Sequence, residues 1–385
     1  MLAGSPLRKD AAAASRPGSG ARYRVMVVDD SAVIRGFITR ALESDSEIAV
    51  VESAGNGDIA VKRIAKTEVD VVVLDVEMPV MDGLTALPLL LKARPGVKVI
   101  MASTLTRKNA AVSIKALAAG ASDYVPKPTT TREIHSSQDF RRDLVEKVKA
   151  LAAPRRRGVR PTTPATVARP AAAAPVAATG PARITFRQPS RFPPEVLAIG
   201  SSTGGPQALF KVFQTLGTKI KLPILVTQHM PPTFTSILAE HLARVSGATC
   251  TEAKDGEPLL AGHAYIAPGD FHMIAERGAG GTLLRTLKDP PENFCRPAVD
   301  PMLRSLAALY GPRVLAVILT GMGHDGLAGG RAVVDAGGTL ATQDEATSVV
   351  WGMPGAVATA GICSTMLPID RIAPYILKLI DGSAP

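Results

Sequence analysis

The sequence predicts an α/β protein built as two successive parallel-sheet units, and three observations lead there. Strand-length apolar runs alternate with segments of helical period through residues 22–151, and again through 195–385. In the first unit carboxylates follow directly on the runs, Asp29-Asp30 after one and Asp75 after another, where a parallel sheet opens its ligand sites. Between the units, residues 152–194 are dominated by alanine, proline, arginine and threonine. Such a composition buries too little surface to fold and reads as a flexible tether.

At 385 residues the chain exceeds one ordinary domain, and its 46% hydrophobic and 20% charged content is that of a soluble globular protein. Its apolar runs all fall short of the ~18 residues a membrane span needs, so no membrane insertion is expected. Residues 1–21 lack the apolar core of a signal peptide and read as a disordered leader. The net charge of +10 raises the question of nucleic acid. Eight arginines and no acid lie in residues 154–194, and the leader adds Arg8, Lys9 and Arg16 against Asp10. These two segments account for the whole excess, so the folded parts are near neutral and no nucleic-acid partner is expected. Cys250, Cys295 and Cys363 are far apart and lack metal-ligand spacing. They point to a reducing compartment, the cytoplasm, and away from disulfides or a zinc site.

In the first unit Arg24–Val28 reads as a buried strand ending in Asp29-Asp30, followed by a helix at Ser31–Glu43. A second strand, Ile48–Ser53, precedes a helix at Asn56–Lys66, and a third, Val71–Leu74, ends at Asp75 before a helix at Gly83–Arg94. Val97–Met101, Lys108–Ala119, Asp123–Val125 and Phe140–Leu151 complete five strand–helix pairs. Neighbouring ends of parallel strands converge, and Asp29, Asp30 and Asp75 together would repel strongly unless a hard cation sat among them; Mg²⁺ prefers such oxygen ligands. Lys127, after the fifth strand, supplies a balancing charge, and Ser103, after the fourth, a hydroxyl. Singly, aspartates at strand ends are ordinary turn formers; here the set stands in order.

At Asp29-Asp30, the segment Asp75-Val-Glu-Met-Pro-Val-Met-Asp-Gly83, Ser103 and Lys127-Pro128, the chain resembles the two-component receiver domain from Val25 to about Leu151. The resemblance implies a doubly wound, five-stranded, flavodoxin-like sheet. It also implies that Asp75 accepts a phosphoryl group from a histidine kinase. Asp29, Asp30, Asp75 and the Glu77 carbonyl would serve Mg²⁺, Lys127 and Ser103 would contact the phosphate, and Tyr124 would be the switch aromatic. Residues 129–138 form a longer stretch before the last helix than a minimal receiver needs.

The second unit opens on Val196–Ile199, a buried strand that turns through Gly200-Ser-Ser-Thr-Gly-Gly-Pro206 into a helix at Gln207–Phe213. Ser202 at that turn has the spacing of a nucleophile elbow; a phosphate-cradling loop is the alternative on this stretch alone. Leu222–Thr227 is a strand ending in Gln228-His229, and Thr233–Val245 a helix. Short strand-like segments follow at Thr249–Ala253, Ala264–Ala267, His272–Ala275 and Thr282–Leu287. Val299–Tyr310 is a helix, and Val314–Leu319 a β-branched buried strand closed by Thr320-Gly-Met-Gly-His-Asp-Gly326. A helix at Leu327–Ala336, a strand at Thr339–Thr342 and a helix at Arg371–Asp381 complete the chain.

Ser202, His229 and Asp325 thus each follow a buried strand. Were those strands parallel neighbours, one sheet edge would carry a hydroxyl to attack, an imidazole to take its proton and a carboxylate to orient it. Alone, His229 reads more readily as a structural residue capping the following helix, and Asp325 as an N-cap; His324, beside Asp325, is a rival base. The segments Ile199–Gly205, Gln228–Pro231, Ala267–Gly269, Cys295–Asp300 and Leu319–Gly326 resemble the catalytic domain of the chemotaxis protein-glutamate methylesterases. The similarity covers nearly all of residues 195–380. It implies Ser202 as nucleophile, His229 as base, Asp325 as its orienter, and the Met322 N–H as an oxyanion donor with the Thr203 N–H as a second. It further implies phosphorylation-controlled hydrolysis of glutamate γ-methyl esters on chemoreceptor helices, deamidation of glutamines by the same route, no metal at this second site, and a monomer. Ser201 and His324 stand where alanine and asparagine are commoner. A DNA-binding output would want a helix-turn-helix and a basic face, and a dinucleotide site a GxGxxG followed by an acid; the second unit carries neither.

Overall fold

A computed structural model describes residues 23–127, 138–157 and 184–382. The first unit comprises β1 (Tyr23–Val28), α1 (Ala32–Glu43), β2 (Ile48–Ala54), α2 (Gly57–Ile64), β3 (Val71–Asp75), α3 (Gly83–Ala93), β4 (Lys98–Ser103), α4 (Arg107–Ala118), β5 (Asp123–Pro126) and α5 (Gln138–Arg157). The strands pair in parallel in the order β2-β1-β3-β4-β5, the doubly wound arrangement expected. Polar caps start the helices: the Ser31, Asn56, Asp82 and Thr106 side chains accept from the backbone N–H of Ile34, Ile59, Thr85 and Asn109, satisfying donors that would otherwise lack partners. Burial on both sheet faces explains the unbroken apolar run of Val71–Leu74, all fully buried. Gly83 permits a close approach, since a Cβ there would lie 2.0 Å from the Asp75 carbonyl oxygen.

The second unit comprises β6 (Val196–Ser201), α6 (Gly205–Leu216), β7 (Ile224–Gln228), α7 (Phe234–Ser246), β8 (Thr249–Glu252), β9 (His263–Ile266), β10 (His272–Gly278), β11 (Gly281–Leu287), α8 (Val299–Tyr310), β12 (Val314–Ile318), α9 (Leu327–Asp335), β13 (Thr339–Gln343), α10 (Met353–Thr359), β14 (Thr365–Leu367) and α11 (Ile369–Ile380). Seven strands form one sheet in the order β14-β13-β12-β6-β7-β9-β8, every pairing parallel. Its middle holds β12, β6 and β7 side by side. The segments expected around His272–Ala275 and Thr282–Leu287 form a separate antiparallel hairpin.

Both described ends of the stretch 152–194, expected to be a tether, are built into the two units. Helix α5 runs on to Arg157, and residues 184–194 lie against the second unit. The Arg187 N–H donates to the Cys363 carbonyl at 3.0 Å and the Ser190 N–H to Thr339 Oγ1 at 2.8 Å, while Ile184 packs on the core. A few apolar anchors and backbone bonds, invisible to an averaged composition, fix this stretch. The expected leader, residues 1–21, and all but Gln138 of the expected long stretch 129–138 lie outside the described residues.

The two units are in contact. Tyr124 of β5 stacks on Phe234 of α7, ring centroids 4.5 Å apart and planes 13° from parallel. Arg107 at the start of α4 pairs with Glu240 at 2.5 Å. The Gln207 side-chain amide donates to the Ala121 carbonyl, and Val349 and Val350 pack on the first unit's core. The α4–β5–α5 face of the first unit therefore lies over the strand ends of the second.

Candidate functional site

Two sites sit at the carboxyl ends of the two sheets. In the first, Asp29 follows β1, Asp75 ends β3, and Lys127 follows β5. The Lys127 ammonium bridges Asp29 Oδ2 and Asp75 Oδ1, both at 2.7 Å. Oxygens of Asp29, Asp30 and Asp75 lie within 4.8 Å of one another, the one such acidic cluster among the described residues. Burial pushes the Asp75 carboxyl up to about 6, with Asp29 adding to the rise and Lys127 opposing it. A small hard cation fits this donor set: three carboxylate oxygens at close range, one of them costly to ionise without added positive charge. The Glu77 carboxylate is not part of the cluster. It pairs with Lys108 at 2.8 Å, and its backbone N–H donates to Asp75. Ser103 is buried at the end of β4 and accepts from the Ser113 hydroxyl at 3.0 Å. Tyr124 is buried in the contact between the units.

In the second site the three adjacent strands decide the geometry. Ser202 leaves β6, His229 leaves β7 one strand over, and Asp325 lies in the loop after β12 on the other side. The His229 N–H bonds back to the Ser201 carbonyl at 3.1 Å, keeping the two strand ends in step. His229 Nε2 lies 2.7 Å from Asp325 Oδ2. Asp325 is buried and also accepts from the Val299 N–H at 2.6 Å and the Asp300 N–H at 3.1 Å. Burial opposes its ionisation, but His229 and these backbone donors outweigh it and hold its carboxyl below the usual range. His229 itself is disfavoured as imidazolium by burial, yet the Cys295 sulfur and the Asp325 carboxylate push it up to about 10. His324 is exposed, and its carbonyl accepts from the Leu327 N–H at 3.1 Å.

The elbow is built from small residues for steric reasons. Gly204 has φ 75°, and a Cβ on Gly205 would lie 2.0 Å from Gln228 Oε1. The Ser201 hydroxyl points inward and donates to Gln228 Oε1 at 2.7 Å, while Gln228 Nε2 donates to the Ser202 and His229 carbonyls. Ser201 is thus committed to the scaffold, and Ser202, half-buried, is the serine at the surface of the turn. Met322 is half-buried in the neighbouring loop. Thr203 is buried, its hydroxyl donating to Asp123 Oδ2 of the first unit at 2.9 Å.

Several residues of this site escaped single-residue reading. Asn293 donates through Nδ2 to both Asp325 Oδ1 and Asp300 Oδ2, each at 3.0 Å. Asp300, on the first turn of α8, accepts from the Gly326 and Gly329 N–H groups at 3.0 and 2.7 Å and so anchors the Asp325 loop. Cys295 Sγ lies 3.3 Å from His229 Nδ1. The one sequence signal for this group is the run Cys295–Asp300, whose parts meet the triad only through the fold.

A doubly wound sheet with an Asp75–Lys127 acidic pocket, joined to a parallel sheet with a serine elbow and a His–Asp pair, defines a response regulator with a hydrolase output. The family model described as response regulator receiver domain matches residues 25–138, and that described as CheB methylesterase matches residues 197–376. Protein-glutamate methylesterase/protein-glutamine glutaminase 1 of Paramagnetospirillum magneticum is 58% identical over 92% of this chain and 96% of its own length. The protein of the same name, without the numeral, from Azospirillum brasilense is 57% identical over 95% of this chain and 94% of its own. The crystallised CheB methylesterase catalytic domain of Thermotoga maritima is 42% identical over 48% of this chain and 98% of its own, with a TM-score of 0.47. The chain belongs to the protein-glutamate methylesterase/protein-glutamine glutaminase family.

Proposed function

We propose that this chain removes methyl groups from glutamate γ-methyl esters on chemoreceptor helices and deamidates receptor glutamines, under control of phosphorylation at Asp75. Ser202 Oγ attacks the γ-carbonyl as His229 takes its proton, and the Met322 and Thr203 N–H groups stabilise the oxyanion. His229 returns the proton to the departing methanol, or to ammonia from a glutamine. Water, deprotonated by the same ring, then cleaves the acyl-enzyme and leaves a glutamate carboxylate and free Ser202. Asp325 holds the ring and offsets the imidazolium charge without taking the proton. The observation that carries this reading is the meeting of Ser202, His229 and Asp325 at adjacent strand ends, with the His229–Asp325 contact of 2.7 Å.

The receiver unit, residues 23–157, would take its phosphoryl group on Asp75 from a histidine kinase's phosphohistidine. Asp29, Asp30, Asp75 and the Glu77 carbonyl would hold Mg²⁺, which supplies charge neutralisation for the transferred group. Lys127 and Ser103, each at a strand end, would bond the phosphate. The contact of Tyr124, Asp123 and Arg107 with Phe234, Thr203 and Glu240 supports inhibition by coverage in the unphosphorylated chain. The catalytic unit then spans residues 184–382, the chain acts as a monomer in the cytoplasm, and no helix among the described residues is long and apolar enough to cross a membrane. The test is methanol release from methylated receptor with and without acetyl phosphate and Mg²⁺. Stimulated release supports the reading; absence of release under both conditions overturns it.

A further inference from the structure

His229 has two ring nitrogens and three claims upon them. Nε2 is committed to Asp325. Nδ1 is the nitrogen left to accept the Ser202 proton, yet the group seated on it is Cys295 Sγ, at 3.3 Å. A ring nitrogen that holds its proton against this sulfur is not available to take one from a hydroxyl.

The sulfur is held there by a strained turn. Residues 292–295 close on themselves, the Cys295 N–H donating to the Glu292 carbonyl at 2.8 Å and the Glu292 N–H to the Cys295 carbonyl at 3.1 Å. Asn293 and Phe294 within it have φ of 52° and 62°, two successive left-handed residues that are not glycine and that persist only where surrounding contacts impose them. Those contacts are the Asn293 amide on Asp325 and Asp300, and the Glu292 carboxylate on Arg304 of α8 at 2.6 Å. At the tip Phe294 is 85% exposed and lies beneath the Arg142 guanidinium of α5, 5.1 Å from the ring centre. One four-residue turn therefore touches the base, the carboxylate that orients the base, and the receiver.

We propose that Cys295 is a positioning residue for His229, its sulfur accepting from ring nitrogen Nδ1 and so competing with the Ser202 hydroxyl for it. The inference rests on the reading in which Ser202 is the nucleophile. Cys295 then sets the fraction of molecules whose base faces the serine, and a receiver that leaves Phe294 frees the turn to withdraw the sulfur. The charged and titratable groups around the ring are Asp325 and Cys295 in contact, Asp300 behind Asp325, Asp123 at neighbouring Thr203, and Glu292, Arg304 and Arg142 on the outer side of the turn. With the sulfur removed the ring loses one partner that favours its protonated form, so the acid limb of the rate profile moves to lower pH.

The experiment uses the full-length chain, phosphorylated with acetyl phosphate and Mg²⁺, on methylated receptor. C295A is expected to raise kcat about fivefold, the value of one ordinary hydrogen bond, with KM unchanged and the acid limb shifted down. C295S, which restores a hydrogen-bonding group of similar size, is expected to return kcat and the limb towards wild type, and serves as the measurement should C295A fold poorly. S202A is expected to be inactive in either background. Unchanged or reduced kcat in C295A, or a C295S variant identical to C295A, overturns the competition while leaving Ser202 in place. Activity that survives S202A but disappears in both Cys295 variants overturns the serine reading itself, because the sulfur is then the nucleophile.

Discussion

The Thr203 hydroxyl donates to Asp123 Oδ2 at 2.9 Å, tying the residue next to the candidate nucleophile to a carboxylate of the other unit. Lys147 of α5 backs that carboxylate at 3.4 Å and donates to the Tyr124 carbonyl at 2.8 Å, so the contact is part of a buried network and not a surface accident. Hydrogen bonds to charged groups are worth about 1.5–3 kcal/mol. Asp123→Ala is therefore expected to raise methanol release from the unphosphorylated chain by roughly tenfold or more, leaving the phosphorylated rate little changed. Equal basal rates in variant and parent, with normal melting, would show that this contact does not restrain the enzyme.

Asp75 carries a pH signature. Its folded-state carboxyl, raised to about 6 from 3.8, binds a proton that the unfolded chain has already lost in that window. Stability from this group is thus present below about 4 and is lost as pH rises through about 6. Asp75→Asn removes the penalty and is expected to stabilise the metal-free protein by about 1–3 kcal/mol at pH 7.5 and by little at pH 4.5. Thermal unfolding at the two pH values measures this. The same variant should take no label from radioactive acetyl phosphate.

The four residues at the elbow and its flanks separate by role. Ser202→Ala and His229→Ala should each lower ester hydrolysis by about 10⁴-fold or more, and the double variant should be little worse, since such residues act as a unit. His324→Ala should be mild because that side chain is exposed. Ser201→Ala forfeits the bond to Gln228, costing about 1 kcal/mol of stability with turnover retained. Rates on methylated receptor, with circular dichroism to confirm folding, decide; His324→Ala as damaging as His229→Ala would reverse the choice of base.

Asn293 keeps two carboxylates together. Burial and then the nearby Asp325 hold the Asp300 carboxyl above its ordinary value, and the Asn293 amide bonds both acids. Glycine accepts the left-handed backbone at this position, so Asn293→Gly removes only the amide. Both acids should then protonate at higher pH and Asp325 should hold His229 less firmly. The expected outcome is a kcat about tenfold lower at pH 6 and closer to wild type at pH 8.5. A loss independent of pH would point to the turn's backbone instead.

The sequence by itself determined which segments are strands and helices wherever burial on both sheet faces leaves an unbroken apolar run, as in Val71–Leu74 and Val314–Ile318. It also placed Asp29, Asp75, Ser202, His229 and Asp325 after such runs, because in a parallel sheet the chemistry sits at strand ends. Strand order was beyond it: only tertiary pairing sets β6 between β12 and β7, and so turns three separated residues into one site. Short elements such as Met353–Thr359 and Thr365–Leu367 carry too few residues for a period to show, and the anchoring of residues 184–194 rests on backbone bonds that have no composition. The Asn293, Cys295 and Asp123 contacts were likewise decided by the folded structure alone. Each depends on a left-handed turn or on one unit meeting another, relations that distance in space creates between residues distant in the chain.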